Sequence, residues 1–298
     1  MMNTVSKIKR KEKTPVLLQN RIGEVEYLTF PALEQTKAVG HLFSTRLGGV
    51  STGELASMNL SYSRGDKKEN VDENYRRILK VLNRNVSDVV CSDQTHTTHI
   101  RRVTKPDCGK GVLIPRDYTD VDGLITDEPG IVLATFYADC VPIYLVDPVT
   151  PAIGLVHSGW RGTAGRIGAE AVKRMNEEYG SRPQEMVAAI GPSICKDCYE
   201  IGADVAEAFQ AAFAGVDLEK EGILFPKEGG KYQLDLWEAN VRILMEAGVK
   251  REHISVTDLC TCCNPQYLFS HRASHGRRGN LGAFLTLFTD EERKLRSC

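Results

Sequence analysis

The sequence predicts an α/β or α+β fold, a single domain in which helices flank a mixed β-sheet. Three observations carry that expectation. Stretches with helical spacing and short β-branched runs interleave along the whole chain. No repeat and no Pro- or Ser-rich linker divides it. Its 298 residues, 42 % hydrophobic and 26 % charged, are enough to bury a sizeable core.

The elements follow in chain order. Residues 1–20 place Lys7, Lys9, Arg10, Lys11 and Lys13 ahead of any apolar run and read as a flexible, solvated basic tail, which leaves 21–298 as the catalytic domain. A strand is expected at Val39–Phe43. Residues 66–85 space Val71, Tyr75, Ile78, Leu79 and Leu82 on one face between charged residues, the pattern of an amphipathic helix lying on a core. Apolar, β-branched runs predict strands at Val89–Cys91, Ile131–Tyr137, Ile143–Val146 and Ala152–His157. Over 163–180, Ile167, Ala171, Val172 and Met175 again fall at helical spacing, and Gly180 is a stop signal. Strands at Met186–Ile190, Ile254–Thr257 and Ala283–Phe288 and helices near 202–214 and 235–248 complete the pattern, with 226–231 (PKEGGK) as a surface loop.

Charge and cysteine usage exclude several function classes. The 38 Lys and Arg nearly cancel the 39 Asp and Glu, and no basic, aromatic-bearing surface follows the tail, so a nucleic-acid partner is not expected. The longest apolar run, Ile131 to Val146, is broken by Asp139 and Pro142 and falls short of the about 20 residues that span a bilayer. The N-terminus lacks the apolar stretch of a signal peptide. Nine cysteines, an odd number in a chain that needs no staples, suit a reducing cytoplasm better than a disulfide framework.

Chemistry concentrates where strands end. Asp139-Cys140 closes one apolar run, and His157 closes the next within GLVHSGWRGT, where Gly159 and Gly162 open a helix beside Arg161. Two adjacent strand ends can hold a thiolate and an imidazole within bonding distance, at the sheet edge where open α/β sheets place their sites. The polar segment from Asp93 to His99 follows another strand and offers His96 or His99; in extended backbone the two point to opposite faces, so at most one joins a given site. Two histidines, one cysteine and an open position describe a catalytic zinc centre. Cys195-x-x-Cys198 and Cys260-x-Cys262-Cys263 offer a rival zinc site made of four cysteines, although they lie further apart than in compact zinc ribbons and also suit packed thiols or a facultative disulfide. Arg46 with Gly48 and Gly49, in STRLGGVS, combines a guanidinium, hydroxyls and freed backbone N–H groups suited to phosphate. A further cluster of His271, Arg272, His275, Arg277 and Arg278 fits an anion-binding loop or a solvated turn.

The segments STRLGGVS, DQTH, VDGLITDEPGIVLATFYADCVPIYLVDP, GLVHSGWRGT, AIGPSIC and YLFSHR together resemble the YfiH/LACC1-type purine nucleoside phosphorylases, also called laccase-domain or multicopper polyphenol oxidoreductase proteins, some members of which are described as peptidoglycan-editing factors. The resemblance implies the YfiH-like (CNF1-like) fold and a zinc ion held by His96, Cys140 and His157, thereby selecting His96 over His99. It implies phosphorolysis of adenosine, inosine and 5′-methylthioadenosine, with adenosine deamination besides. Two positions depart from the family pattern. Gln94-Thr95-His96-Thr97 stands where Gln-Val-His-Gly is usual, and Arg278-Gly279-Asn280 replaces Thr-Gly-Arg, so Arg277 or Arg278 must take that arginine's place. The oxidase name fits the composition poorly: a multicopper centre needs many histidines, often as His-x-His, and this chain has 7 and no such pair. Copper is expected there only as an adventitious or secondary ion.

The expected function is therefore a zinc-dependent purine nucleoside phosphorylase and adenosine deaminase, with purine nucleosides and inorganic phosphate as its partners. Cys140, His157, His96 and Asp139 form the catalytic set, and Arg46, Gly48, Gly49, Arg161 and Arg272 the phosphate or substrate contacts. The alternative is an amidase or peptidoglycan-editing hydrolase with Cys140 as nucleophile and His157 as base; a copper-dependent polyphenol oxidase ranks behind both.

Overall fold

Strands that read as continuous apolar runs are those that must be covered on both faces, and the computed structural model, which describes residues 8–297, covers them by stacking two sheets. The first mixed sheet has 6 strands in the order Leu18–Ile22, Val25–Thr29, Val39–Ser44, Leu281–Leu287, Val132–Tyr137, Val89–Cys91. The second also has 6, in the order Ile254–Val256, Val187–Ile190, Val141–Asp147, Ala152–Ser158, Gly123–Thr126, Ile100–Arg102. The expected single sheet is thus two, and a small sheet of 3 strands lies beside them.

Alternation along each strand divides the core into layers. In Val141–Asp147, Tyr144 and Val146 pack between the two sheets with Phe43, Leu133 and Leu285. From the same strand, Val141, Ile143 and Leu145 face the helices Ile167–Tyr179 and Leu236–Glu246, against Met175, Ile243 and Leu244. On the far side, the helix Lys68–Val81 lays Val71, Tyr75, Ile78 and Leu79 on Leu42, Val132 and Phe284 of the first sheet. The architecture is a mixed α/β single domain of helix, sheet, sheet and helix layers. All the strands and helices expected from the sequence are present within a few residues, except that the helix over 163–180 is two helices, Trp160–Ala164 and Ile167–Tyr179, parted by the left-handed Arg166 (φ 63).

Residues 10–20, expected to belong to a flexible tail, pack against the domain instead. Leu17 is fully buried and Leu18–Ile22 pairs with Val25–Thr29. Arg10 pairs with the buried Asp258 at 2.5 Å and Lys11 with Asp197 at 2.7 Å, because the basic residues find carboxylates and Leu17 a place in the core. Lys7, with the rest of residues 1–7, lies outside the described residues, as does Cys298.

The fully buried Asn74 carries the loop that leads to one wall of the cleft described below. Its Nδ2 donates to Ser51 Oγ (2.9 Å), Ser57 O (3.2 Å) and Asn59 O (2.8 Å), while its Oδ1 accepts from Val50 N (2.9 Å). Replacing Asn74 by Ala strands these groups away from water. Urea unfolding should show a loss of about 3 kcal/mol.

Candidate metal centre

The chain passes from the first sheet to the second in two neighbouring places, and both crossings carry a donor. At Ala138–Cys140 the strand Val132–Tyr137 hands over to Val141–Asp147, with Asp139 at φ 90 turning the backbone sharply. The loop 93–97 leaves Val89–Cys91 for Ile100–Arg102 and holds His96 at φ 68. Gln94 pins that loop by imitating a strand neighbour: its Oε1 accepts from Phe136 N (2.7 Å) and its Nε2 donates to Phe136 O (2.7 Å). His157 arrives near the end of Ala152–Ser158, directly opposite Pro142.

One donor atom from each of His96, Cys140 and His157 lies within 4.8 Å of the other two. Cys140 Sγ is 4.0 Å from His96 Nε2, and the two imidazole rings stand 5.0 Å apart and nearly perpendicular. Gly159 lets them meet: a Cβ there would come within 2.8 Å of His96 Cδ2 and 3.2 Å of Cys140 Sγ. His99 is not part of this donor group; its backbone carbonyl accepts from Asp122 N and Gly123 N.

Asp122, which the sequence reading did not assign, organises the centre. It is fully buried and accepts from His157 Nδ1 (2.7 Å), from the backbone N–H groups of Thr95 (3.0 Å), His96 (3.1 Å) and Thr97 (3.0 Å), and from the Thr97 hydroxyl (3.1 Å). With Nδ1 engaged, His157 presents Nε2 to the cluster, the carboxylate–histidine arrangement that orients metal ligands. Burial opposes the charge on Asp122, but the His157 contact and these N–H donors hold its carboxyl below the usual range. Its one signal in the sequence is a carboxylate at the mouth of the apolar strand Gly123–Thr126.

Burial alone would push the Cys140 thiol up; the His157 and His96 imidazoles outweigh it and bring the thiol down to about 6. Burial likewise disfavours the His157 imidazolium, yet the Cys140 thiolate and Asp122 carry it up to about 9. Before any metal binds, the two form a thiolate–imidazolium pair, lost as pH falls through about 6 or rises through about 9. Two imidazoles and one thiolate, oriented and converging, fit a metal that takes nitrogen and sulfur ligands and keeps an open position.

The cluster opens into a cleft of about 370 Å³ lined also by Tyr62, Phe136, Arg64 and Arg278. Arg278 is held by Gly279 O and Asn280 Oδ1, and its Nε has no hydrogen-bond partner among the described residues. Burial and the neighbouring Arg64 lower its pKa to about 10, the mark of two guanidinium groups that face one space. Arg277 turns away to Glu54 (3.3 Å).

Other expected contacts are placed elsewhere. Arg46 does not reach the cleft: it donates to Ala56 O (2.8 Å) and Pro265 O (2.6 Å) and stacks on Phe269. Gly48 and Gly49 are likewise outside, and serve close packing; a Cβ would strike Glu24 O at 2.2 Å and Ser57 O at 2.1 Å respectively. Asp139 adjoins Cys140, but its carboxylate accepts from Thr261 Oγ1 (2.6 Å) and Arg272 N (2.7 Å), which makes it an anchor for two loops. Arg272 reaches the carbonyls of Cys198 (3.2 Å) and Glu200 (3.1 Å), and Arg161 lies over the Trp160 ring.

Two outcomes follow. In metal-free protein, thiolate absorbance assigned to Cys140 should rise with a midpoint near 6, where an ordinary thiol would titrate near 9.0. Asp122→Asn should weaken metal retention roughly 10- to 100-fold in competition with a chelator, because His157 loses its orienting carboxylate.

Known proteins share this arrangement of chain. A Bacillus subtilis protein named purine nucleoside phosphorylase YlmD is 38 % identical over 247 residues, covering 82 % of this chain and 86 % of its own. An adenosine deaminase named RL5, from an unidentified prokaryote, is 33 % identical over 237 residues, covering 77 % of this chain and 87 % of its own. The crystal structure of the Bacillus licheniformis hypothetical protein YfiH superposes with a TM-score of 0.81 at 33 % identity, covering 88 % of this chain and 96 % of that one. With the family model for multi-copper polyphenol oxidoreductase laccase matching residues 40–288, the chain belongs to that laccase-domain family.

Proposed function

We propose that this protein is a zinc-dependent purine nucleoside phosphorylase that takes adenosine, inosine and 5′-methylthioadenosine, and that it also deaminates adenosine. One observation carries the reading: a three-donor metal cluster and a pair of arginines, Arg64 and Arg278, share a single cleft whose about 370 Å³ suits a nucleoside. The names of the relatives, purine nucleoside phosphorylase and adenosine deaminase, point the same way.

His96, Cys140 and His157 would hold the zinc, which supplies Lewis-acid polarisation and a lowered pKa for bound water. The residues of the chain do the rest. Arg64 and Arg278 bind phosphate and relieve its charge as one of its oxygens attacks the ribose anomeric carbon. The C1′–O bond forms as the C1′–N bond breaks, giving ribose 1-phosphate and a purine that takes up a proton. Tyr62 and Phe136 offer aromatic faces to the base. Asp122 keeps the proton on His157 Nδ1, so that Nε2 stays turned to the centre. In deamination, water adds at C6 of adenine and ammonia leaves, a reaction with no need of the arginine pair.

The thiolate–imidazolium pair of Cys140 and His157 is also what a cysteine amidase requires, and that reading stands as the rival. Zinc in protein purified without added metal, with slow alkylation of Cys140, supports the metal enzyme; rapid alkylation and no metal supports the amidase.

Cys140→Ala should lose phosphate-dependent purine release by about two orders of magnitude or more while its circular dichroism is unchanged. Arg278→Ala should raise the KM for phosphate about tenfold or more and leave adenosine deamination in place. Full phosphorolysis in Cys140→Ala removes this site from the reaction.

A further inference from the structure

A second cluster of metal-ligating side chains lies away from the cleft. The strands Val187–Ile190 and Ile254–Val256 are parallel neighbours, and the bridge between Ser193 and Cys260 continues their pairing into the loops that follow. Those loops carry two Cys-x-x-Cys pairs, Cys195 with Cys198 and Cys260 with Cys263. The fold brings together what the sequence separates: the four Sγ atoms all lie within 4.8 Å of one another. Four thiolates around a tetrahedral zinc, at Zn–S bonds of about 2.3 Å, stand about 3.8 Å apart. Cys198 Sγ and Cys263 Sγ are 3.5 Å apart, close to that spacing and well beyond a disulfide bond of about 2.05 Å. All four are free cysteines.

The surroundings fit a tetrathiolate. Cys260 Sγ accepts from the backbone N–H groups of Cys195 (3.2 Å) and Cys263 (3.4 Å), donors that stabilise sulfur carrying negative charge. Cys195 and Cys260 are buried and Cys198 and Cys263 half-buried, so four sulfurs close the site and leave no position for substrate. A donor set made only of soft thiolates selects zinc over hard cations. The basic N-terminal stretch docks against this same place: Lys11 pairs with Asp197, and Lys9 N donates to Asn264 Oδ1 (2.8 Å). Cationic residues are suited to lie beside four thiolates whose charge one divalent ion only half cancels.

We propose that Cys195, Cys198, Cys260 and Cys263 bind a structural zinc ion, distinct from the metal of the cleft, that staples the two loops together. The staple reaches the cleft through Asp139. Ile194 N donates to its carbonyl (3.0 Å) and Thr261 Oγ1 to its carboxylate (2.6 Å), so each stapled loop grips the residue before Cys140.

The test uses the full chain, purified without added metal, as the Cys140→Ala variant, in which the cleft has lost a ligand and the tetrathiolate is untouched. Elemental analysis should find one zinc per chain, X-ray absorption should find only sulfur neighbours, and chelation should lower the melting temperature. Cobalt substitution of the same variant should give the absorption of a tetrahedral thiolate complex. A Cys195→Ser/Cys263→Ser variant, where it folds, should lose that signature and keep the metal of the cleft. The proposal is overturned if folded Cys140→Ala contains no zinc and takes up none when zinc is added, if its four cysteines alkylate freely with zinc present, or if Cys198 and Cys263 are recovered as a disulfide.

Discussion

The centre depends on one buried carboxylate. Asp122 accepts a hydrogen bond from the imidazole of His157 and three from consecutive backbone N–H groups around His96, so a single side chain sets the tautomer of one donor and the backbone path of the other. A fully buried carboxylate is tolerated only when its lone pairs are filled, and here they are. Losing Asp122 would do more than delete one contact. It would release the loop 95–97 and free the His157 ring to turn.

The layered core gives that carboxylate a rigid frame. Two sheets face each other through Tyr144, Leu133 and Leu285, and the chain crosses between them beside the centre. Cys140 belongs to one crossing and His96 to the other, while His157 sits on a fully buried strand. Donors on such short connections are anchored by the hydrogen bonds and packing of the fold, which lowers the ordering cost of binding a metal. The loops that grip Asp139 extend this frame toward the cysteine pairs at the end of the second sheet.

Much of the fold was legible because these strands are apolar on both faces and the helices amphipathic; neither pattern depends on distant residues. The edge hairpin Leu18–Ile22 with Val25–Thr29 was not, since its exposed polar positions hide the strand pattern beneath a basic stretch. Cys140 and His157 stood out at the ends of apolar runs, whereas choosing His96 over His99 needed the family resemblance. Asp122 acts on His157 across 35 positions, and no local pattern records such a contact. Arg46 with Gly48 and Gly49 misled for a physical reason: glycines that admit a close backbone approach look the same whether the neighbour is a phosphate or, as here, the chain's own carbonyls. Arg64, in the polar run SYSRGDKK, carried no signal; its meaning comes from standing beside Arg278. The pairing of Cys195-x-x-Cys198 with Cys260-x-x-Cys263, and with it the exclusion of Cys262, likewise needed the two parallel strands to be placed side by side.

The central claim is that the cleft couples a metal-supported nucleoside site to an anion site. The most direct measurement incubates the zinc-loaded protein with inosine in the presence and absence of inorganic phosphate and identifies every product. The account predicts hypoxanthine and ribose 1-phosphate in equal amounts when phosphate is present, and neither without it. Free ribose released at the same rate with or without phosphate, or no cleavage of the glycosidic bond under either condition, would contradict it.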